Sequence, residues 1–279
     1  MIPEAGAVSR LGILAGGGEL PAQLMQACRR RGWDFHIFAL RGHADPAQLG
    51  DAPQDWVRLG GLGLMRGLLR QRGVDRVVFC GKVERPRMSE LLIDWRTALF
   101  LARIGGRLIS DNRLLEAIVR EVESWGVAVI GAADVEPSLL AQVGPYGALI
   151  PTEEEHEAIV LGFAAAREAG RRDVGQAAVV QGKRVLDTEG ADGTNALIKR
   201  CAGLQLGGRG AILVKARKPQ QQMRSDPPVI GLATVERAAA AGFRGIAIEA
   251  GGALVLESAA LGQAADAAGM FVVGVDIPG

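Results

Sequence analysis

The sequence predicts an α/β protein: a doubly wound parallel sheet in the first half, then a second α/β region with a mixed sheet. Three observations carry this reading. Short apolar runs alternate with helical segments as far as residue 132, and strands alternating with helices build parallel sheets. Beyond about residue 150 similar elements are interleaved with hairpin turns, which add antiparallel pairs. Hydrophobic residues make up 48% of the 279. A chain of that length holds about two domains, each able to bury a core.

Taken in order, RLGILA (10–15) is a first strand that runs into Gly16-Gly17-Gly18. A helix spans 21–32, with Pro21 near its start and Gly32 at its stop. DFHIFAL (34–40) is the second strand, 63–73 a helix and VDRVVFCG (74–81) the third strand. Residues 110–126 form the clearest helix. Ser110 stands at the N-cap, Asp111 in the first turn, and Leu114, Leu115, Ile118, Val119 and Val122 make one apolar face. VAVIGA (127–132) is the next strand. Pro137, Gly144, Pro145, Gly147 and Pro151 mark 133–152 as a linker. The expected division is therefore 1–132, a linker 133–152, and 153–279. In the last part a helix covers 153–169, and AAVVQGKRVLDTEG is a hairpin turning at Gly182-Lys183. A helix at 194–203 and a strand at 211–216 follow. Then come a polar loop through Pro228, a helix at 235–243 and a strand at 245–250. GGALVL is expected to return antiparallel, before a helix at 258–268 and a final strand at 270–275.

Composition excludes several functions. The net charge is +1, and only 12 residues are aromatic, so a duplex-binding stripe or a base-stacking platform is not expected. No run of about 18 apolar residues suggests a spanning helix, and the first residues read as a strand entering a turn, not a signal peptide. Cys28, Cys80 and Cys201 are too far apart for a zinc site or a disulfide framework, which points to a reducing cytoplasm. His36, His43 and His156 are too scattered to build a metal site. Of the 32 cations only five are lysines: Lys82, Lys183, Lys199, Lys215 and Lys218. The 39 glycines exceed ordinary usage without a period of three.

Several segments carry candidate chemistry. Gly16-Gly17-Gly18 opens a helix and reads either as a phosphate loop or as a tight turn. As a dinucleotide site it is poor: Pro21 takes the place of the third glycine, and Arg41 ends the second strand where an acid would grip the ribose. Phe79-Cys80-Gly81-Lys82-Val83-Glu84-Arg85-Pro86 follows the third strand, at the edge where open α/β sheets bind ligands. Lys82 and Arg85 reach one anion there, or simply face solvent. Asp111, with Asn112, presents a carboxylate at a helix start or only caps it. Residues 187–195 gather oxygen atoms before a helix, as one side of a Mg²⁺ site or as a turn with a cap. The loop from Lys215 to Pro228 is the most informative. Lys215, Arg217, Lys218 and Arg224 and the glutamines 220–222 surround a single acid, Asp226. That suits a metal-bridged polyphosphate, with the cations neutralising oxygens and Asp226 holding Mg²⁺ or orienting water; a basic surface loop is the alternative. Glu249 ends a strand beside that loop, as a second ligand or as part of a plain hairpin.

Together these segments resemble the LpxI-type UDP-2,3-diacylglucosamine pyrophosphatases of lipid A biosynthesis. The marks are Leu14-Ala15-Gly16-Gly17-Gly18-Glu19-Leu20-Pro21; the Phe79 to Pro86 run; Asp111-Asn112-Arg113-Leu114-Leu115; and Asp173-Val174-Gly175-Gln176-Ala177. Gly193-Thr194-Asn195-Ala196, Lys215 to Pro219 continuing through Arg224 to Gly231, and Glu249-Ala250-Gly251 with Phe271-Val272-Val273-Gly274 complete them. Each is weak alone; in this order, over nearly the whole chain, they are specific. The resemblance implies a Rossmann-like N-terminal domain, a C-terminal domain of its own kind, Mg²⁺, and substrate held between the domains. It implies hydrolysis of UDP-2,3-diacylglucosamine to UMP and 2,3-diacylglucosamine 1-phosphate (lipid X). The family's catalytic aspartate falls on Asp226. Where the family pattern reads Gly-Thr-Asp this chain has Gly193-Thr194-Asn195, which turns attention to Asp192 or Glu189 as the neighbouring ligand.

The expected site follows. Asp226, Lys215, Arg224 and Lys218 are catalytic. Gly16, Gly17, Gly18, Gly81, Lys82, Arg85, Asp111, Asn112, Thr194, Asn195 and Gln221 bind substrate, and Asp226, Asp192 and Glu249 hold Mg²⁺. The expected partners are UDP-2,3-diacylglucosamine and lipid X, no nucleic acid, a peripheral contact with the cytoplasmic face of the inner membrane, and a homodimer left open. Two other readings stand beside this one: an NADP-dependent reductase in which Arg41 reads the 2′-phosphate, and a nucleotide-sugar binding module without turnover.

Overall fold

The computed structural model describes residues 10–83, 93–104, 111–207, 210–219, 223–225 and 227–277, with Asp111 and Asn112 as backbone only. The chain forms two compact units. The first comprises Met1–Pro137 with Gln222–Asp226, the second Ser138–Gln221 with Pro227–Gly279.

In the first unit, strands β1 (Arg10–Ala15), β2 (Phe35–Leu40), β3 (Gln54–Val57), β4 (Val74–Cys80) and β5 (Ala128–Ile130) form one sheet in the order β3-β2-β1-β4-β5. Every pairing is parallel. The sheet grows outward from β1 in both directions, so its switch point lies between β1 and β4. Sequence explains the centre: β2 is buried at all six positions, as expected of a strand covered on both faces. Helix α1 (Leu20–Arg31) has proline in its first turn and stops at Gly32, whose φ of 65° is left-handed. Helices α2 (Pro46–Leu49), α3 (Leu62–Gln71), α4 (Trp95–Arg103), α5 (Asp111–Glu123) and α6 (Ala132–Val135) complete the unit. As expected, α5 turns Val119 and Val122 inward, against Phe38, Val77 and Val129. Ser110, its expected cap, lies outside the described residues.

In the second unit, β6 (Gly144–Pro145), β7 (Ala177–Gln181), β8 (Arg184–Thr188), β9 (Ile212–Lys215), β11 (Gly245–Glu249) and β13 (Phe271–Val275) form a sheet ordered β6-β13-β11-β9-β7-β8. Strands β9, β11 and β13 are parallel, while β6, β7 and β8 join antiparallel, so the sheet is mixed. Alternation along β9 divides the core. Ile212 and Val214 meet Ile159, Phe163 and Ala166 of α7 (Glu153–Arg171). Leu213 faces the other way, toward Leu197, Val235 and Leu261 of α8 (Gly193–Ala202), α9 (Leu232–Ala240) and α10 (Ser258–Ala267). The hairpin turning at Gly182 forms as expected. The GGALVL segment does not return antiparallel. Its strand β12 (Leu254–Val255) pairs in parallel with β10 (Val229–Ile230) in a separate two-stranded sheet. The segment 133–152 holds most of α6, a 3₁₀ turn at Pro137–Leu139, and β6, which pairs with β13 of the second sheet.

Candidate functional site

At the carboxyl edge of β1 and β4 the two glycine-bearing loops interlock. Gly16 N–H donates to Cys80 O at 2.8 Å and Gly17 N–H to Lys82 O at 2.8 Å, while Lys82 N–H returns to Gly17 O at 2.7 Å. A Cβ on Gly16 would lie 2.6 Å from Lys82 O, and one on Gly81 would lie 2.7 Å from Gly17 O. Gly81 also has a φ of 85°, in the left-handed region. These glycines are therefore required by the approach of two backbones, and the amides of Gly16 and Gly17 are spent on the loop opposite. Gly18 follows at a φ of 88° and leads into α1. Lys82 is exposed beside this edge. Cys80 closes β4, and burial pushes its thiol well above the ordinary range, so it is not a nucleophile. Arg85 and the side chains of Asp111 and Asn112 lie outside what the structure describes.

The second unit gathers ionic side chains at the end of its sheet where β9 and β11 finish and β7 begins. Lys215 pairs in register with Ile248 on one side and Ala177 on the other. It is only 6% exposed and donates from Nζ to Val229 O at 3.0 Å. On the next strand Glu249 accepts from Arg217 N–H at 2.8 Å and lies 3.4 Å from Arg167 Nη2. Glu189, also 6% exposed, follows β8. Its Oε2 accepts from Gln176 N–H at 2.7 Å and its Oε1 from the Thr194 hydroxyl at 2.6 Å. Lys218 forms an ion pair with Asp173 at 3.1 Å. Asp192 pairs with Arg200, which also holds Asp187 at 2.8 Å, and Asn195 is exposed on the first turn of α8. The structure thus groups Lys215, Glu249, Glu189 and Thr194 around one sheet end. Arg167, Asp173 and Gln176 belong there too. The sequence reading gives them no role, although the Asp173 to Ala177 run is one of the marks of resemblance.

The cationic loop does not stay whole. Lys215 and Lys218 belong to the second unit, whereas Arg224 counts with the first. There Arg224 donates to Glu123 Oε1 at 2.9 Å and to Val129 O at 3.2 Å, and its Cα lies near Gly131. Gln221 and Asp226 lie outside the described residues. Among the described residues no group of three or more His, Cys, Asp or Glu is arranged to hold a metal. Glu249, Glu189 and Asp192 each already receive protein donors.

Comparison with known proteins gives this geometry a family. Residues 10–139 match the LpxI N-terminal domain and residues 142–273 match the LpxI C-terminal domain. Over 274 residues the chain is 40% identical to the UDP-2,3-diacylglucosamine pyrophosphatase LpxI of Caulobacter vibrioides, covering 96% of this chain and 98% of that protein. With both domains matched in order and the alignment running nearly end to end, the chain belongs to the LpxI family.

Proposed function

We propose that this hydrolase cleaves the pyrophosphate of UDP-2,3-diacylglucosamine, releasing UMP and lipid X, in lipid A biosynthesis. The near end-to-end match to a pyrophosphatase named for that substrate carries the reading. Gly18, the N-terminus of α1, Lys82 and Arg85 receive nucleotide phosphates, since helix N-termini and cations favour anions. Gly16, Gly17 and Gly81 shape that edge. Asp111, Asn112, Thr194, Asn195 and Gln221 contact the rest of the substrate. Water attacks one phosphorus, its oxygen forms the new P–O bond, and the bridging P–O bond breaks to leave a second phosphomonoester. Lys215, Lys218 and Arg224 neutralise the charge that builds on the phosphoryl oxygens. Bound Mg²⁺, held by Asp226, would supply further charge neutralisation across the pyrophosphate. In this reading the enzyme works at the cytoplasmic face of the inner membrane, where its lipid substrate lies.

The test supplies UDP-2,3-diacylglucosamine and follows UMP, with and without EDTA and with Asp226→Ala. Release is expected to fall sharply in both cases. Unchanged UMP release in both would overturn the mechanism, and no UMP from the unaltered chain would overturn the function.

A further inference from the structure

Helices α3 and α4 carry apolar side chains where a water-facing helix should be polar. On α4, Thr97 and Phe100 point inward, yet Trp95 is 69% exposed and Leu99 48% exposed, one turn apart on the opposite face. On α3, Leu64 is 58% exposed. A cleft of ≈ 110 Å³ is lined by Arg66, Trp95, Arg96, Leu99 and Arg103 among others. The Arg96 guanidinium lies 4.8 Å from the centre of a Trp95 ring. The charges on the two helices have one sign: Arg66, Arg70, Arg96 and Arg103, with no Asp or Glu in either helix. Glu121 of α5 lines the cleft too, and its Oε1 accepts from Trp125 Nε1 at 3.1 Å.

We propose that this face seats the protein on an anionic phospholipid surface. Charge complementarity selects the partner. Arg66, Arg96 and Arg103 outnumber the single Glu121 in the cleft, a net positive charge that suits lipid phosphates, and the same cleft holds Trp95 and Leu99, side chains that a bilayer interface accepts. Trp sits at headgroup depth, Leu enters the acyl boundary, and arginine stems lie along the apolar surface with their heads in water. Trp95 and Leu99, side by side in one cleft, are exposed apolar side chains of the kind that mark a contact surface. The choice of a bilayer agrees with the substrate reading above and rests on it, but the surface itself is tested without turnover.

The experiment floats the full chain with vesicles of phosphatidylcholine and phosphatidylglycerol, and with vesicles of phosphatidylcholine alone. Binding is expected to the anionic vesicles and to weaken as salt rises. Arg66→Gln with Arg96→Gln should lower partitioning by about 25-fold, roughly fivefold for each arginine. Trp95→Ser with Leu99→Ser should lower it roughly tenfold or more. All four positions are exposed, and UMP release from detergent-dispersed substrate should be unchanged in both variants. Absence of wild-type binding, or binding unaffected by both variants, overturns the proposal. So does self-association that Leu99→Ser abolishes without any vesicle binding, which would assign the face to a second copy. Flotation without UMP release would remove the substrate reading and leave the membrane surface standing; UMP release without flotation would do the reverse.

Discussion

The two units finish their central strands in opposite ways. The first ends β1 and β4 in glycine, and the loops close on each other through backbone bonds alone. The second ends β9 and β11 in Lys215 and Glu249 and sets the buried Glu189 nearby, each engaged by hydrogen bonds or ion pairs. One edge depends on side chains being absent, the other on charged side chains being present and satisfied. Backbone crossing fixes shape at little electrostatic cost. A buried charge is expensive to keep unless it is paired, so charges held at one sheet end are a sign of chemistry.

The sharpest test of that contrast is Lys215→Met, which keeps an unbranched side chain one atom shorter and removes the charge. On the proposed function it should lower UMP release by roughly 10²–10³-fold, as for loss of one preorganised charge-stabilising donor. Far-ultraviolet circular dichroism should be unchanged. An equal loss from a change confined to the glycine edge would break the comparison.

The second test acts on that edge. Gly81→Ala adds a Cβ 2.7 Å from Gly17 O at a positive φ. Backbone strain and overpacking together should cost roughly 2–4 kcal/mol of stability, read as a lower urea midpoint. A wild-type midpoint would mean that the loops have room to part.

Acid should blur the contrast. In the first unit the hydrogen bond from Arg72, chiefly, holds the Asp55 carboxyl below its ordinary value, against burial and with help from His36. In the second, burial raises Glu155, but the Thr152 N–H and Arg244 outweigh it and keep it low. A carboxylate depressed on folding stabilises above its unfolded value, near pH 4, and that contribution is lost as pH falls through the lower folded one. Melting temperatures should therefore drop below about pH 4, less steeply in Asp55→Asn. A variant as acid-labile as the wild type would remove Asp55 from the account.

The smallest effect on stability is expected from Arg224→Ala. Its ion pair with Glu123 is 48% and 37% exposed, so the loss should stay under about 1 kcal/mol. Any larger fall in UMP release then reports its catalytic part.

Much of this is legible in the sequence because local signals and burial agree. Gly32 at the end of α1 and the Val119–Val122 face of α5 are examples. Strand β3 was not legible, because Asp-Ala-Pro-Gln-Asp-Trp reads as a loop and only Val57 of the strand is fully buried. Helix α4 is hard to read from sequence because Trp95 and Leu99 stand on the face opposite the buried Phe100. The available signal was Asp94, which caps it by accepting from Thr97 N–H at 2.7 Å. The parallel pairing of β12 with β10 joins segments far apart in sequence, and the glycines at 251–252 pointed instead to a hairpin. At the site, the glycines announced a close approach but not that the partner was another loop. The buried pairing of Glu189 with Thr194 and Gln176 depends on the β7–β8 register, which no spacing displays.

The segment carrying Arg224 has a consequence for how the chain is made. Residues 223–225 come after more than half of the second unit, yet they pack beside Glu123, Val129 and Gly131 of the first. The unit that leaves the ribosome first must therefore wait for this late piece before its contacts are complete. A fragment ending near residue 139 would lack it, so the contacts of the first unit are completed only by residues made after most of the second.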